Sequence, residues 1–166
     1  MTHPILKQAI ALAVLATTAA AFAHNDNPNR AAQKRFDPAK VEDTAFGREG
    51  DPRKVSRVIR LTMTDAFRYS PSQITVKRGE TVKFIVKNQG KQLHEMILGT
   101  PVELLAHAAL MKKFPEMEHA DANMTHVLPG ANGEMVWQFT QAGEFQFGCL
   151  VPGHFEAGMV GKVSVK

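Results

Sequence analysis

Beyond Val55 the chain is dominated by apolar and polar residues alternating with period two. Ile59, Leu61 and Met63 alternate with polar neighbours and predict a strand. A second stretch, Phe67 to Val76, is broken at Pro71. Gly79-Glu80 predicts a turn, and Val82, Phe84 and Val86, set between Lys83 and Lys87, predict a half-buried strand. Asn88-Gln89-Gly90 predicts the next turn and Leu93 to Leu98 the next strand. The period then changes. Val102, Leu105, Ala109 and Leu110 fall near helical spacing between Pro101 and Phe114. Thr100 is placed as N-cap, Pro101 as the first helical residue and Glu103 as the partner in a capping box. Pro115 predicts the end of this helix, and a polar loop bearing Met and His runs to about Asn123. Strands resume at Met124 to Leu128, then at Met135, Trp137 and Phe139, then at Phe145, Phe147 and Cys149, and last at residues 160–166. Seven or eight short strands between turn signals predict an all-β protein, an antiparallel sandwich or barrel with one helical insertion. There is no internal repeat and no low-complexity tract.

The first 54 residues follow other rules. Lys7, the apolar stretch Ala9 to Ala16 and the small-residue ending Ala21-Phe22-Ala23 form the pattern of a secretory signal peptide over residues 1–23, cleaved after Ala23. The apolar stretch falls short of the roughly 20 residues a membrane-spanning helix needs. The expectation is export, to the periplasm in a Gram-negative source. Residues 24–54 are polar and predict an extended or mobile N-terminal segment, with one folded domain over 55–166. No later segment is apolar enough to span a membrane. The formal charge is +4, one less without Lys7. No basic run interleaved with aromatics points to nucleic acid. The expectation is a monomer with no nucleic-acid partner.

Cysteine usage narrows the chemistry. A single cysteine, Cys149, excludes any internal disulfide. In an oxidising compartment it is an inert core residue, a reactive thiol or a metal ligand. Its neighbours favour the last. Cys149-x4-His154-x4-Met159, with His94 on an earlier strand, offers two imidazoles, a thiolate and a thioether. That is the donor set of a mononuclear blue-type copper centre, with His₂Cys in a trigonal plane and Met as weak axial ligand. Cys149 ends an alternating strand and shares the inward face of Phe145 and Phe147. The loop Leu150-Val151-Pro152-Gly153 then returns His154 and Met159 to the same end, and apolar neighbours including Phe155 and Ala157 exclude water. Zinc is the main rival for Cys and His, but its structural sites do not use Met. A Cys-His hydrolase is disfavoured because Cys149 and His154 share one loop and no substrate pocket is evident, so the chain is not expected to be an enzyme.

The stretch Lys91-Gln92-Leu93-His94-Glu95-Met96, with Gly143 to Met159, resembles the cupredoxins of the plastocyanin/azurin type. Among these it is most similar to the periplasmic single-domain cupredoxins associated with copper tolerance in proteobacteria. The resemblance covers about Val55 to Lys166. It implies a Greek-key β-sandwich binding one copper through His94, Cys149, His154 and Met159. Glu95 departs from the pattern, since many blue copper proteins carry Asn or Ser after the first histidine. The azurin-type disulfide and a binuclear copper centre both need a second cysteine. The paired His-x-His motifs of multicopper oxidases are absent.

A second group of soft ligands surrounds the helix. Met111, Met117, His119, Met124 and His126 cluster in sequence there, and His107 lies four residues before Met111 on one helical face. Packing is the simpler reading for each residue alone; together they offer a weaker second copper site. His24, as a mature N-terminus, is a further chelator for Cu(II). Two roles follow. The chain acts in copper tolerance, binding, oxidising or relaying the ion, or it shuttles electrons by docking a periplasmic partner around His154.

Overall fold

Strands of opposite sidedness, not hydrophobicity alone, set this architecture. The computed structural model describes residues 36–115, 117 and 119–166. The expected signal peptide and His24 lie outside them. The described elements are β1 (Asp43–Thr44), β2 (Gly47–Glu49), β3 (Arg57–Thr64), β4 (Arg68–Ser70), β5 (Gln73–Val76), β6 (Thr81–Asn88), β7 (His94–Gly99), α1 (Pro101–Lys113), β8 (Met124–Val127), β9 (Asn132–Gln138), β10 (Gly143–Gly148) and β11 (Val160–Val165). One sheet has the order β1-β2-β9-β6-β3-β4 and the other β5-β11-β10-β7-β8. Their inner faces enclose the main core. Leu61 and Met63 of β3, Val82, Phe84 and Val86 of β6, and Met135 and Trp137 of β9 come from the first sheet. Met96 and Leu98 of β7, Phe145 and Phe147 of β10, and Val163 and Val165 of β11 come from the second. The result is the expected Greek-key sandwich.

Both sheets are mixed rather than antiparallel. β3 runs parallel to β6, and β5 parallel to β11. The reason is connectivity. After β4 the chain crosses to the second sheet for β5 and returns for β6, so β3 and β6 are neighbours joined by a crossover instead of a hairpin. Alternation shows which face a strand buries and is silent about which strand lies beside it.

The sandwich also begins upstream of Val55. β2 pairs with β9 at Arg48–Gln138 and Glu49–Trp137. Phe46 is buried and stacks on Trp137 at 5.1 Å between ring centroids, and the Trp137 indole N–H donates to the Phe46 carbonyl at 3.2 Å. The polar reading of 24–54 missed this segment because only one aromatic residue and two very short strands carry it.

The helix has the predicted ends. The Thr100 hydroxyl accepts from the Glu103 N–H, while the Glu103 carboxylate accepts from the Thr100 N–H, which completes the capping box. Lys113 is the last helical residue and Phe114 the C-cap. Leu104, Ala108 and Met111 are buried, in a smaller core with Ile97, Met124 and Leu150. Val102, Leu105 and Leu110, which carried the helical spacing in the sequence, are exposed. The helix is apolar on two adjacent stripes, so spacing alone could not choose between them. No described helix is long and apolar enough to cross a membrane.

Candidate metal centre

β7 and β10 are antiparallel neighbours, with Gly148 opposite Ile97. That pairing sets His94, at the start of β7, near Cys149, just past the end of β10. Residues 149–159 then fold back on themselves. The Cys149 N–H donates to the Met159 carbonyl at 3.1 Å and the Met159 N–H to the His154 carbonyl at 3.0 Å. The His154 N–H donates to the Val151 carbonyl at 2.9 Å. Gly153 takes φ of 89°, a left-handed turn that a side chain would strain. Three of the four predicted ligands thus sit on one loop held by its own backbone.

His94, Cys149 and His154 form one buried cluster, with one ligand atom from each lying within 4.8 Å of the others. His94 Nδ1 lies 3.3 Å from His154 Nδ1, which in turn lies 3.3 Å from Cys149 Sγ. For metal–nitrogen and metal–sulfur bonds of roughly 2.0 and 2.3 Å, donors in a trigonal plane stand about 3.5 Å apart. The cluster fits one metal ion with little movement. Met159 is fully buried in the main core and tied through its backbone to both Cys149 and His154. Met96, the other axial candidate, is equally buried. It lies two residues along β7 from His94, a rise of roughly 6.6 Å.

The electrostatics of the cluster are set by its burial. Burial pushes the Cys149 thiol up to about 12, against the opposing pull of the Glu95 and Val151 backbone N–H groups. At neutral pH the empty site holds a thiol, and a metal ion must displace its proton. Burial, then the neighbouring His94, lowers the His154 pKa, which keeps that imidazole neutral and able to donate a lone pair.

Several residues that shape the site carried no signal in the sequence. The β3–β4 hairpin reaches over it from the other sheet. Asp65 Oδ1 lies 3.0 Å from His94 Nε2 and so orients the ring with Nδ1 toward the cluster. Asp65 also accepts the Lys91 N–H at 2.8 Å, the main cause of its lowered pKa. Gly90 permits this approach, since a Cβ there would stand 2.0 Å from Asp65 Oδ1. Phe67 has φ of 57° and lays its ring 4.5 Å from that of His154. Arg68 donates to the Ala157 carbonyl at 2.9 Å. Glu95 is buried; its carboxylate accepts the Leu150 N–H at 2.7 Å. Turn residues and lone acids are common in any sequence, so among these only Glu95, as a departure from the family pattern, stood out.

The second group is partly brought together. Met111, Met117, His119 and His126 line one groove with Glu95 and Leu93. His107 Nε2 lies 2.9 Å from His119 Nε2, and the His119 and His126 rings are 6.5 Å apart. His119 Nδ1 is 3.0 Å from Asp121 Oδ2. Met124 does not join them. It shares a face of β8 with His126, two residues on, but is buried in the smaller core with Leu104 and Met111 while His126 is exposed.

Comparison with known proteins agrees with this geometry. The chain is 49% identical to the "Copper-resistant cuproprotein CopI" of Rubrivivax gelatinosus over the full length of both. It is 34% identical to the protein of the same name from Pseudomonas aeruginosa, over 74% of this chain and 83% of that one. In fold it is similar to reduced auracyanin from Roseiflexus castenholzii, with a TM-score of 0.58 and 22% identity, covering 68% of this chain and 98% of the other. Auracyanin A of Chloroflexus aurantiacus gives a TM-score of 0.55 at 23% identity, covering 66% and 98%. A family profile matches residues 57–166, from the start of β3 through the whole ligand loop, and by that match the chain belongs to the copper binding proteins of the plastocyanin/azurin family.

Proposed function

We propose that this protein is exported and handles copper in copper resistance, holding one copper ion through His94, Cys149 and His154 with Met159 as weak axial ligand. The buried three-residue cluster carries the reading. A thiolate beside two imidazoles suits both oxidation states of copper, and burial among Leu150, Met159 and Phe147 excludes water. When bound, copper supplies a one-electron couple. The chain supplies its preset donors, the Asp65 hydrogen bond that orients His94, and the Phe67 ring over His154. The role in resistance is supported by the names of the relatives, and the periplasm by the signal pattern of residues 1–23. The chain acts without catalytic residues of its own. A second, weaker copper is held on the groove of His119 and His126, with His107 and Met117 beside it. Electron shuttling is the second reading, favoured by the exposed rim of Pro152, Gly153 and Ala157 beside His154.

The copper-loaded, oxidised protein is expected to absorb strongly in the visible through thiolate-to-Cu(II) charge transfer. Cys149→Ser removes that band, and Met159→Leu keeps copper while raising the reduction potential. A Cys149→Ser protein with full colour would overturn the assignment. At saturation the wild type binds more than one copper. Replacing His119 and His126 together removes the extra ion and leaves the visible band intact, as equilibrium dialysis with absorption spectra would show. Loss of the gene should give copper sensitivity; a respiratory defect alone would favour the shuttle.

A further inference from the structure

Glu95 occupies an unusual place. It follows His94 directly, and its carboxylate is buried, with a side-chain exposure of 4%. A buried carboxylate is costly unless its oxygens are satisfied. Here the two oxygens point to different places. Oε1 accepts the Leu150 N–H at 2.7 Å, one residue past Cys149. Oε2 lies 2.8 Å from Nε2 of His126, whose side chain is 41% exposed at the groove shared with His119 and Met117. The Glu95 N–H is directed at the Cys149 sulfur, and its carbonyl accepts the Tyr69 hydroxyl at 2.5 Å. One residue therefore touches the thiolate loop with its backbone and one carboxylate oxygen, and the histidine groove with the other.

We propose that Glu95 is a positioning residue that couples the two metal-binding groups, so that a cation held at His126 changes the reduction potential of copper at Cys149. The inference rests on the copper reading above. A cation that takes the Nε2 lone pair of the neutral His126 ring, whose proton then sits on Nδ1, meets Oε2 of Glu95 at once, because the two atoms are within hydrogen-bond distance. The carboxylate charge is drawn toward the cation and away from the Cys149 loop. Less negative charge beside the thiolate favours Cu(I) over Cu(II), so the potential rises. Coupling between binding equilibria is reciprocal. Reduction of the copper must then tighten cation binding at His126 by the factor that the potential shift encodes. Asn or Ser at this position has no charge to share and could not reach both loops.

The test uses the full copper-loaded chain and Zn²⁺, which has no redox chemistry and competes poorly with copper at a thiolate–imidazole site. Zinc uptake is measured by equilibrium dialysis, and the potential by spectroelectrochemistry on the visible band at saturating zinc. In the wild type, zinc raises the potential and binds the reduced protein more tightly than the oxidised one, by a factor on the order of ten. Glu95→Gln, which keeps an acceptor for the Leu150 N–H, raises the potential without zinc and abolishes most of the zinc-induced shift. His126→Asn, an exposed change, removes the shift while leaving the visible band in place. Zinc uptake with no shift in the wild type overturns the coupling. An undiminished shift in Glu95→Gln also overturns it, because the effect would then be long-range charge alone. Absence of zinc uptake overturns the coupling, while the copper stoichiometry and the visible band report the second-ion reading and the Cys149 centre independently.

Discussion

At the scale of single residues, the chemistry of Cys149 makes a prediction that does not involve metal. Its thiol is raised to about 12 by burial, against an ordinary value near 8.5 in an unfolded chain. The folded state therefore holds a proton that the unfolded state releases. Stability from this group is fully present below about pH 8.5 and is lost as pH rises toward 12. The copper-free protein should lose stability across that window, by up to about 1.4 kcal/mol per pH unit. Denaturant unfolding at pH 7.5 and 10.5 measures it, and Cys149→Ala should flatten the difference. Residues of this kind were legible in the sequence because donor types are rare and their spacing is specific. His94, Cys149 and His154 were expected together and are found together. Asp65, Phe67 and the second contact of Glu95 were not legible, because their roles arise from where the β3–β4 hairpin and β8 happen to pass.

At the scale of elements, the helix separates what local sequence determines from what packing determines. Its boundaries are written in Thr100, Pro101, Glu103 and Pro115, whose effects act within one turn. Its orientation is decided by the sheet it lies on. Leu104 is 1% exposed and Leu105 is 64% exposed, so adjacent leucines should behave oppositely. Leu104→Ala is expected to cost about 2–5 kcal/mol, whereas Leu105→Ala should stay within about 0.5 kcal/mol. Chemical denaturation of both variants checks this, and equal losses would place the wrong face inward. Thermal unfolding of Thr100→Ala should reveal the cap, with a loss of about 1 kcal/mol.

At the scale of the whole molecule, the sandwich class was legible from alternation, and the mixed sheets were not. Parallel pairing of β3 with β6 depends on where the intervening strands go, and no local pattern encodes that. The upstream edge was hidden for a different reason. Phe46 reaches its partner Trp137 across 91 positions, in a segment too short to show any period. Phe46→Ala should nonetheless cost about 3–5 kcal/mol. Trp137 is the only tryptophan, so its fluorescence reports that loss directly, with emission moving to longer wavelength as the ring meets water.

The division between the sheets has one more consequence. His94 and Cys149 stand at the ends of β7 and β10, and the loop bearing His154 and Met159 leads into β11, all in the second sheet. Asp65 and Phe67, which orient one imidazole and cover the other, hang from the first. Selection can therefore act on grip and on access separately. On the proposed copper reading, substitutions in the 64–68 hairpin would alter how quickly an ion enters or leaves, while the proposed donors in the second sheet are inherited unchanged.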